Sequence, residues 1–143
     1  MFRKILVATD GSKHAQKAVD YAVRLASAFG AELIVMSAVE QAQLERLEPY
    51  AKESIREIRE KMRLRANQYV DDAEKRAKNE GIKVTKYVLM GDPAELVCDQ
   101  AEREEADLIV IGTRGITGGQ RAMVGSHTTR IVRWSKRPVL IVR

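Results

Sequence analysis

Cysteine is nearly absent from this chain. The single Cys98 leaves no intrachain disulfide to form, so a reducing compartment, the cytoplasm, is expected. Aromatic residues are scarce at 5%, which places the core on Val, Ile, Leu and Ala within the 45% of hydrophobic residues. Long apolar runs are missing too. Stretches such as Leu108–Gly112 fall far short of the ~20 residues that cross a bilayer, so no membrane partner is expected. Ile5–Ala8 is likewise shorter than the ~7–15 residues of a signal core, and Asp10 follows closely. Nor does one sign of charge prevail locally. The 25 basic and 20 acidic residues leave +5, but between Lys52 and Arg65 the two are interleaved, with Arg56–Glu60 and Glu57–Lys61 one turn apart. That is the pattern of a solvated helix face rather than of a nucleic-acid surface. The lysine-bearing phosphate loop Gly-x4-Gly-Lys-Ser/Thr is absent, and no Gly-x-Gly-x-x-Gly follows the first apolar segment. The latter absence argues against a nicotinamide oxidoreductase.

The 143 residues suit one domain, 1–143, and apolar periodicity divides it into alternating elements. Residues 3–9 read as a strand buried on both faces. Ser12 caps a helix whose stripe Ala15, Ala18, Val19, Ala22, Val23, Ala26 and Phe29 stops at Gly30. A second strand is expected at Leu33–Met36. Ile55, Ile58, Met62, Ala66, Tyr69, Ala73 and Ala77 then mark a helix from about Glu53 to Gly81. At about 28 residues, or roughly 42 Å, it is longer than a strand can cover, so its first turns overhang the sheet, bend, or pack on a neighbour. Ile82–Met90 alternates like a half-exposed edge strand. Asp92-Pro93-Ala94-Glu95 opens a helix to about Glu105. Leu108–Ile111 is a fourth strand, Ser126 to Ser135 a short helix, and Val139–Val142 a fifth strand. Such alternation predicts an α/β fold, an open parallel five-stranded sheet with helices on both faces. Ligands of such sheets sit beyond the carboxyl ends of the strands, where strand order reverses.

One connection stands out there. Five of the nine glycines, Gly112, Gly115, Gly118, Gly119 and Gly125, lie in one loop between a buried strand and a helix start. Residues 113–125 exceed the ~2–6 residues usual for such a connection. Glycine lets backbone N–H groups approach a ligand, and the first-turn amides at Ser126 favour an anion. Ser126, Thr128 and Thr129 supply hydroxyls, and Arg114 and Arg121 supply positive charge. These are the parts of a phosphate cradle, though a plain surface connection has the same glycine content.

The spacing Gly112-x2-Gly115-x9-Gly125-Ser126 resembles the ATP-binding signature of the universal stress protein family. Lys4-Ile-Leu-Val-Ala-Thr-Asp10-Gly-Ser12 resembles its first strand and turn, Met90-Gly91-Asp92-Pro93 its third strand-to-helix junction, and Arg137-Pro-Val-Leu-Ile-Val142 its last strand. The resemblance runs along the whole chain and is weakest over residues 40–52. It implies a Rossmann-like sheet of order 3-2-1-4-5 that binds ATP, ADP or AMP with Mg2+ or Mn2+ on the phosphates. Ala8, Thr9 and Asp10 would lie beside the nucleotide, Asp10 touching the ribose or the metal. Backbone around Ala38 and Val39 would meet the adenine, flanked by Met90 and Gly91. Ile111, Gly112, Arg114 and Gly115 would border the ribose and α-phosphate. Gly125, Ser126, His127 and Thr128 would hold the outer phosphates. The resemblance also implies a homodimer through Val139–Val142, an apolar edge that another chain must cover.

Other readings of these residues are weaker. A phosphate-accepting receiver domain wants several acids after the first strand, whereas Asp10 stands alone. His127 and Ser126 diverge by about 100° on a helix, and no acid is placed in sequence to orient the imidazole. His14 reads as a surface residue, Cys98 as a small core residue, and Trp134 as packing beneath the last strand or as an anchor for an unidentified protein partner. Two functions follow: a nucleotide-binding regulatory module of the stress response, or a slow ATPase or phosphotransferase. No side-chain carboxylate lies between Gly112 and Arg143 to position water, which favours the binding module.

Overall fold

A computed structural model of the chain describes residues 1–50, 54–113 and 125–143. In chain order the elements are β1 (Lys4–Ala8), α1 (Lys13–Phe29), β2 (Glu32–Glu40), α2 (Gln41–Leu47), a 3-10 turn (Glu48–Tyr50), α3 (Ile55–Asn79), β3 (Val84–Gly91), α4 (Pro93–Arg103), β4 (Leu108–Gly112), α5 (Ser126–Trp134) and β5 (Val139–Val142). All strand pairs are parallel and the order is β3-β2-β1-β4-β5. The expected Rossmann-like arrangement is the one observed, and the reversal of order falls between β1 and β4.

Burial explains the layers. Ile5, Val7, Leu33, Val35 and Val110 face α1 and α3 and meet Ala18, Ala22, Ala26, Val70, Ala73 and Ala77. The alternate residues Leu6, Ile34, Met36, Ile109 and Ile111 face α4 and α5 and meet Ala94, Val97, Ala101 and Ile131. Alanines line the helices because small side chains let helix and sheet approach closely. At roughly 25 cal/mol per Å2 of apolar surface removed from water, these two faces are the main source of stability. Among the described residues, no helix is long and apolar enough to cross a membrane.

Several elements differ from the sequence reading. β2 runs four residues past Met36, because β3 pairs with it out to Glu40↔Gly91 and keeps Ser37 and Val39 buried. The segment after it forms α2, with Leu44 its one buried residue, too sparse a stripe to read. Ser54 caps α3, accepting from Glu57 N at 3.2 Å. Its first turns do not overhang freely: Ile58 and Met62 pack with Val39, Leu44, Ala66 and Val88, so α2 supplies the neighbour. Phe29 is 49% exposed and sits edge-on to Phe2 rather than in the core. Cys98 is half-buried, with burial pushing its thiol pKa up. Trp134 is 46% exposed and lies under the Arg130 guanidinium, not beneath β5.

Candidate functional site

β1 spans five residues, as β4 does, and stops well before the nine-residue β2. Its register with β2 ends at Ala8↔Met36 and with β4 at Val7↔Val110, and the final bond is Thr9 N to Met36 O at 2.9 Å. Gly11 then turns the chain away with φ 77°, a conformation that favours glycine. A Cβ there would also lie 2.3 Å from the Tyr69 ring of α3. Since β2 continues to Glu40 while β4 ends at Gly112, two residues past Val110, the lane of β1 beyond Thr9 is left open beside β2. Backbone groups alternate sides along a parallel strand. Leu33 N bonds toward β3 and Met36 O toward β1, so the N–H and C=O of Ala38 turn into the vacated lane.

The β1–α1 turn satisfies its own polar groups. Thr9 Oγ1 accepts from Gly11 N at 3.2 Å, Asp10 Oδ1 from Ser12 N at 2.9 Å, and Ser12 Oγ from Ala15 N at 3.2 Å. On the far flank, Gly112 passes so close to α1 that a Cβ would meet the His14 carbonyl at 2.9 Å. Thr113 ties the surroundings together. Its amide donates to Val142 O at 3.1 Å, its carbonyl accepts from Gly125 N at 2.7 Å, and its hydroxyl meets His14 Nδ1 at 3.3 Å. The chain thus leaves β4 and enters α5 at one point.

α5 starts without a side-chain cap. Gly125 is its N-cap residue, and the amides of Ser126, His127 and Thr128 have no acceptor among the described residues. The Thr128 hydroxyl is buried and donates to Gly112 O at 2.9 Å and Thr113 O at 3.3 Å, while Thr129 Oγ1 donates to Gly125 O at 3.1 Å. In this structure those two hydroxyls, which the sequence reading gave to the phosphates, fasten the helix start. The main-chain amides and the exposed Ser126 are what this helix start presents.

The sequence reading that no acid accompanies His127 is also corrected, because the acids come from elsewhere in the chain. Glu40 Oε2, at the end of β2, lies 3.7 Å from His127 Nε2. His127 Nδ1 is 3.3 Å from Arg130 Nη2, which donates to Asp92 Oδ1 at 2.5 Å. Asp92 Oδ2 accepts from Glu95 N at 3.0 Å, capping α4 as expected. An arginine can only donate, so Nδ1 acts as acceptor and the imidazole proton sits on Nε2, toward Glu40.

The structure brings Ala8, Thr9, Asp10, Ala38, Ile111, Gly112, Gly125, Ser126, His127 and Thr128 to one edge of the sheet. Val39 turns away, 3% exposed against Leu44 and Ala66. Met90 is exposed beside Gly91, which pairs with Glu40. Arg114 and Gly115, with Gly118, Gly119 and Arg121, lie outside the described residues. Three neighbours of the edge went unread: Glu40, His14 and Tyr69. Glu40 becomes visible once β2 is drawn to its true end. No cluster of three or more metal-binding side chains occurs among the described residues. Grooves lined by Ser27, Gly30, Glu80 and Lys83 lie at the opposite end of the sheet and share none of these residues.

A model described as the Universal stress protein family matches residues 1–143. Universal stress protein YxiE of Bacillus subtilis (strain 168) is 34% identical over 148 residues, which take in 100% of both chains. Universal stress protein UspA from Lactobacillus plantarum superposes with a TM-score of 0.86 at 25% identity, covering 99% of this chain and 98% of that one. A universal stress protein solved in complex with cAMP superposes with a TM-score of 0.68 at 27% identity, covering 99% and 97%.

Proposed function

Since this chain belongs to the universal stress protein family, we propose that it is a nucleotide-binding regulatory module of the stress response that holds ATP, ADP or AMP at the vacated lane. The uncapped start of α5 carries the reading. Its three amides without an acceptor among the described residues, and its helix dipole, attract an anion at one flank of the lane. The backbone of Ala38 supports an adenine at the other flank. An N–H beside a C=O matches the ring acceptor and exocyclic amine of adenine, whereas guanine presents the opposite pair. The cAMP complex of a relative 27% identical to this chain supports the same ligand class. Arg114, Gly115 and the rest of the glycine loop complete the phosphate cradle in this reading. Asp10 is the one acid of the β1–α1 turn, so Mg2+ or Mn2+ would be held chiefly by the phosphates, with Asp10 touching it or the ribose.

Mass spectrometry of nucleotide released from the freshly purified chain tests this directly. An adenine nucleotide should be recovered near one per chain, with added ATP retained and turned over slowly. Preparations empty of nucleotide that also fail to retain added ATP would end the reading. Turnover of ~1 s−1 or faster, abolished by Asp10→Ala, would favour the ATPase or phosphotransferase.

We also assign the homodimer to β5. Among the described residues it pairs only with β4 at the sheet edge, and its half-buried Val139, Leu140 and Ile141 suit antiparallel pairing with a second copy. Sedimentation at micromolar concentration should show the dimer, and monomer alone would refute it. The lone thiol is consistent with a cytoplasmic setting.

A further inference from the structure

We propose that Glu40 is a specificity residue of this site, accepting a hydrogen bond from a neutral donor of the bound nucleoside: a sugar hydroxyl or the exocyclic amine of the base. The proposal rests on the nucleotide reading above and deepens it. Glu40 closes β2 two residues beyond Ala38, so their side chains share a face of the sheet and both border the vacated lane. His127, in the first turn of α5, reaches toward Glu40 from the other flank, 3.7 Å away. The pair therefore lies between the flank assigned to the base and the flank assigned to the phosphates, where the nucleoside passes.

The chemistry narrows what Glu40 can take. Its carboxylate is half-buried, with 27% of the side chain exposed, and its one contact among the described residues is His127 Nε2. At 3.7 Å that contact is longer than a hydrogen bond, so it orients the carboxylate without consuming either oxygen. Arg130, anchored by Asp92, keeps the His127 proton on Nε2 facing Glu40, which removes the lone pair that a metal would need there. An ionised carboxylate offers acceptors only and repels phosphate. A nucleoside carries two sets of matching donors, the ribose hydroxyls and the base amine. The acidic residue that ends the second strand of dinucleotide-binding sheets accepts from ribose in the same manner.

The test compares dissociation constants of ATP, 2′-deoxy-ATP, 3′-deoxy-ATP and ITP for the full chain and for Glu40→Ala and Glu40→Gln, with circular dichroism confirming that both variants fold. For the native chain, at least one analogue should bind about tenfold more weakly than ATP, as loss of a bond to a charged acceptor requires. In Glu40→Ala that ratio should fall to about twofold or less, and Glu40→Gln, with one acceptor oxygen left, should lie between. The analogue whose ratio collapses identifies the donor. If Glu40→Ala weakens all four nucleotides equally, Glu40 only orients His127 and the proposal fails. Ratios unchanged in Glu40→Ala, or no native ratio above about twofold, overturn it as well. A native chain that binds none of the four defeats the nucleotide reading itself, and this proposal with it.

Discussion

α1 and α5 both begin at the carboxyl edge of the sheet, yet only α1 provides for its own first turn. Ser12 caps it at Ala15 N, Asp10 holds Ser12 N, and the Gln16 side chain donates to Gly11 O at 2.9 Å. α5 has glycine at the same position and, among the described residues, no side chain on its first amides. The lower end of the sheet behaves like α1. There Asp107 accepts the amides of Arg3 and Lys4 at 2.8 and 3.0 Å, and those bonds hold its carboxyl below the usual carboxylate range. At both of these places the chain satisfies its amides with its own oxygens. Among the described helices of eight residues or more, α5 alone starts without a side-chain cap, and it stands beside the lane that β1 leaves open. An unsatisfied helix start costs stability unless water or a ligand occupies it.

The largest expected effect comes from making α5 resemble the capped starts of α1, α3 and α4. Gly125 has φ −66° and ψ 161°, an extended conformation open to any residue. In Gly125→Asp the new carboxylate should cap the first turn, as Asp92 does at α4. Thermal stability should hold or rise slightly, while nucleotide affinity falls roughly 10–100-fold through lost amides and added negative charge. Thermal unfolding and equilibrium dialysis on the same samples measure both. A variant that retains ATP as tightly as the native chain would show that the α5 amides are not the phosphate site.

How legible this site was in the sequence depended on how local each feature is. The strand–helix alternation, the Ser12 and Asp92 caps and the break at Gly30 are set by residues a few positions apart, and they were readable. The pile of glycines after β4 marks the carboxyl edge of the sheet, where β1 and β4 end. What escaped was decided across the chain. β2 extends to Glu40 because β3 lies beside it, and nothing in Ser37-Ala38-Val39 alone announces a strand. Thr128 looked like a phosphate donor because hydroxyls at helix starts usually face out. Here Gly112 and Thr113 present carbonyls within its reach, and a buried hydroxyl takes them. The Glu40–His127–Arg130–Asp92 chain joins three elements distant in sequence, so no spacing rule reveals it. His14 seemed a surface residue until the approach of Gly112 and Thr113 enclosed one side of it.

The smallest expected effect sharpens the comparison from the other side. Ser12→Ala removes the oxygen that accepts Ala15 N and leaves α1 with an unsatisfied amide at the same mouth. Loss of such a cap costs about 1 kcal/mol, readable as a lower urea midpoint with an unchanged slope. Asp10 still holds the backbone of residue 12 through the amide at 2.9 Å, so the turn keeps its shape. Nucleotide affinity should therefore stay within about twofold of native if, as proposed, the phosphates sit at α5 and not at α1. If Ser12→Ala weakened ATP binding as much as Gly125→Asp, the two helix starts would share the anion. The contrast between a self-satisfied start and an open one would then have no functional meaning.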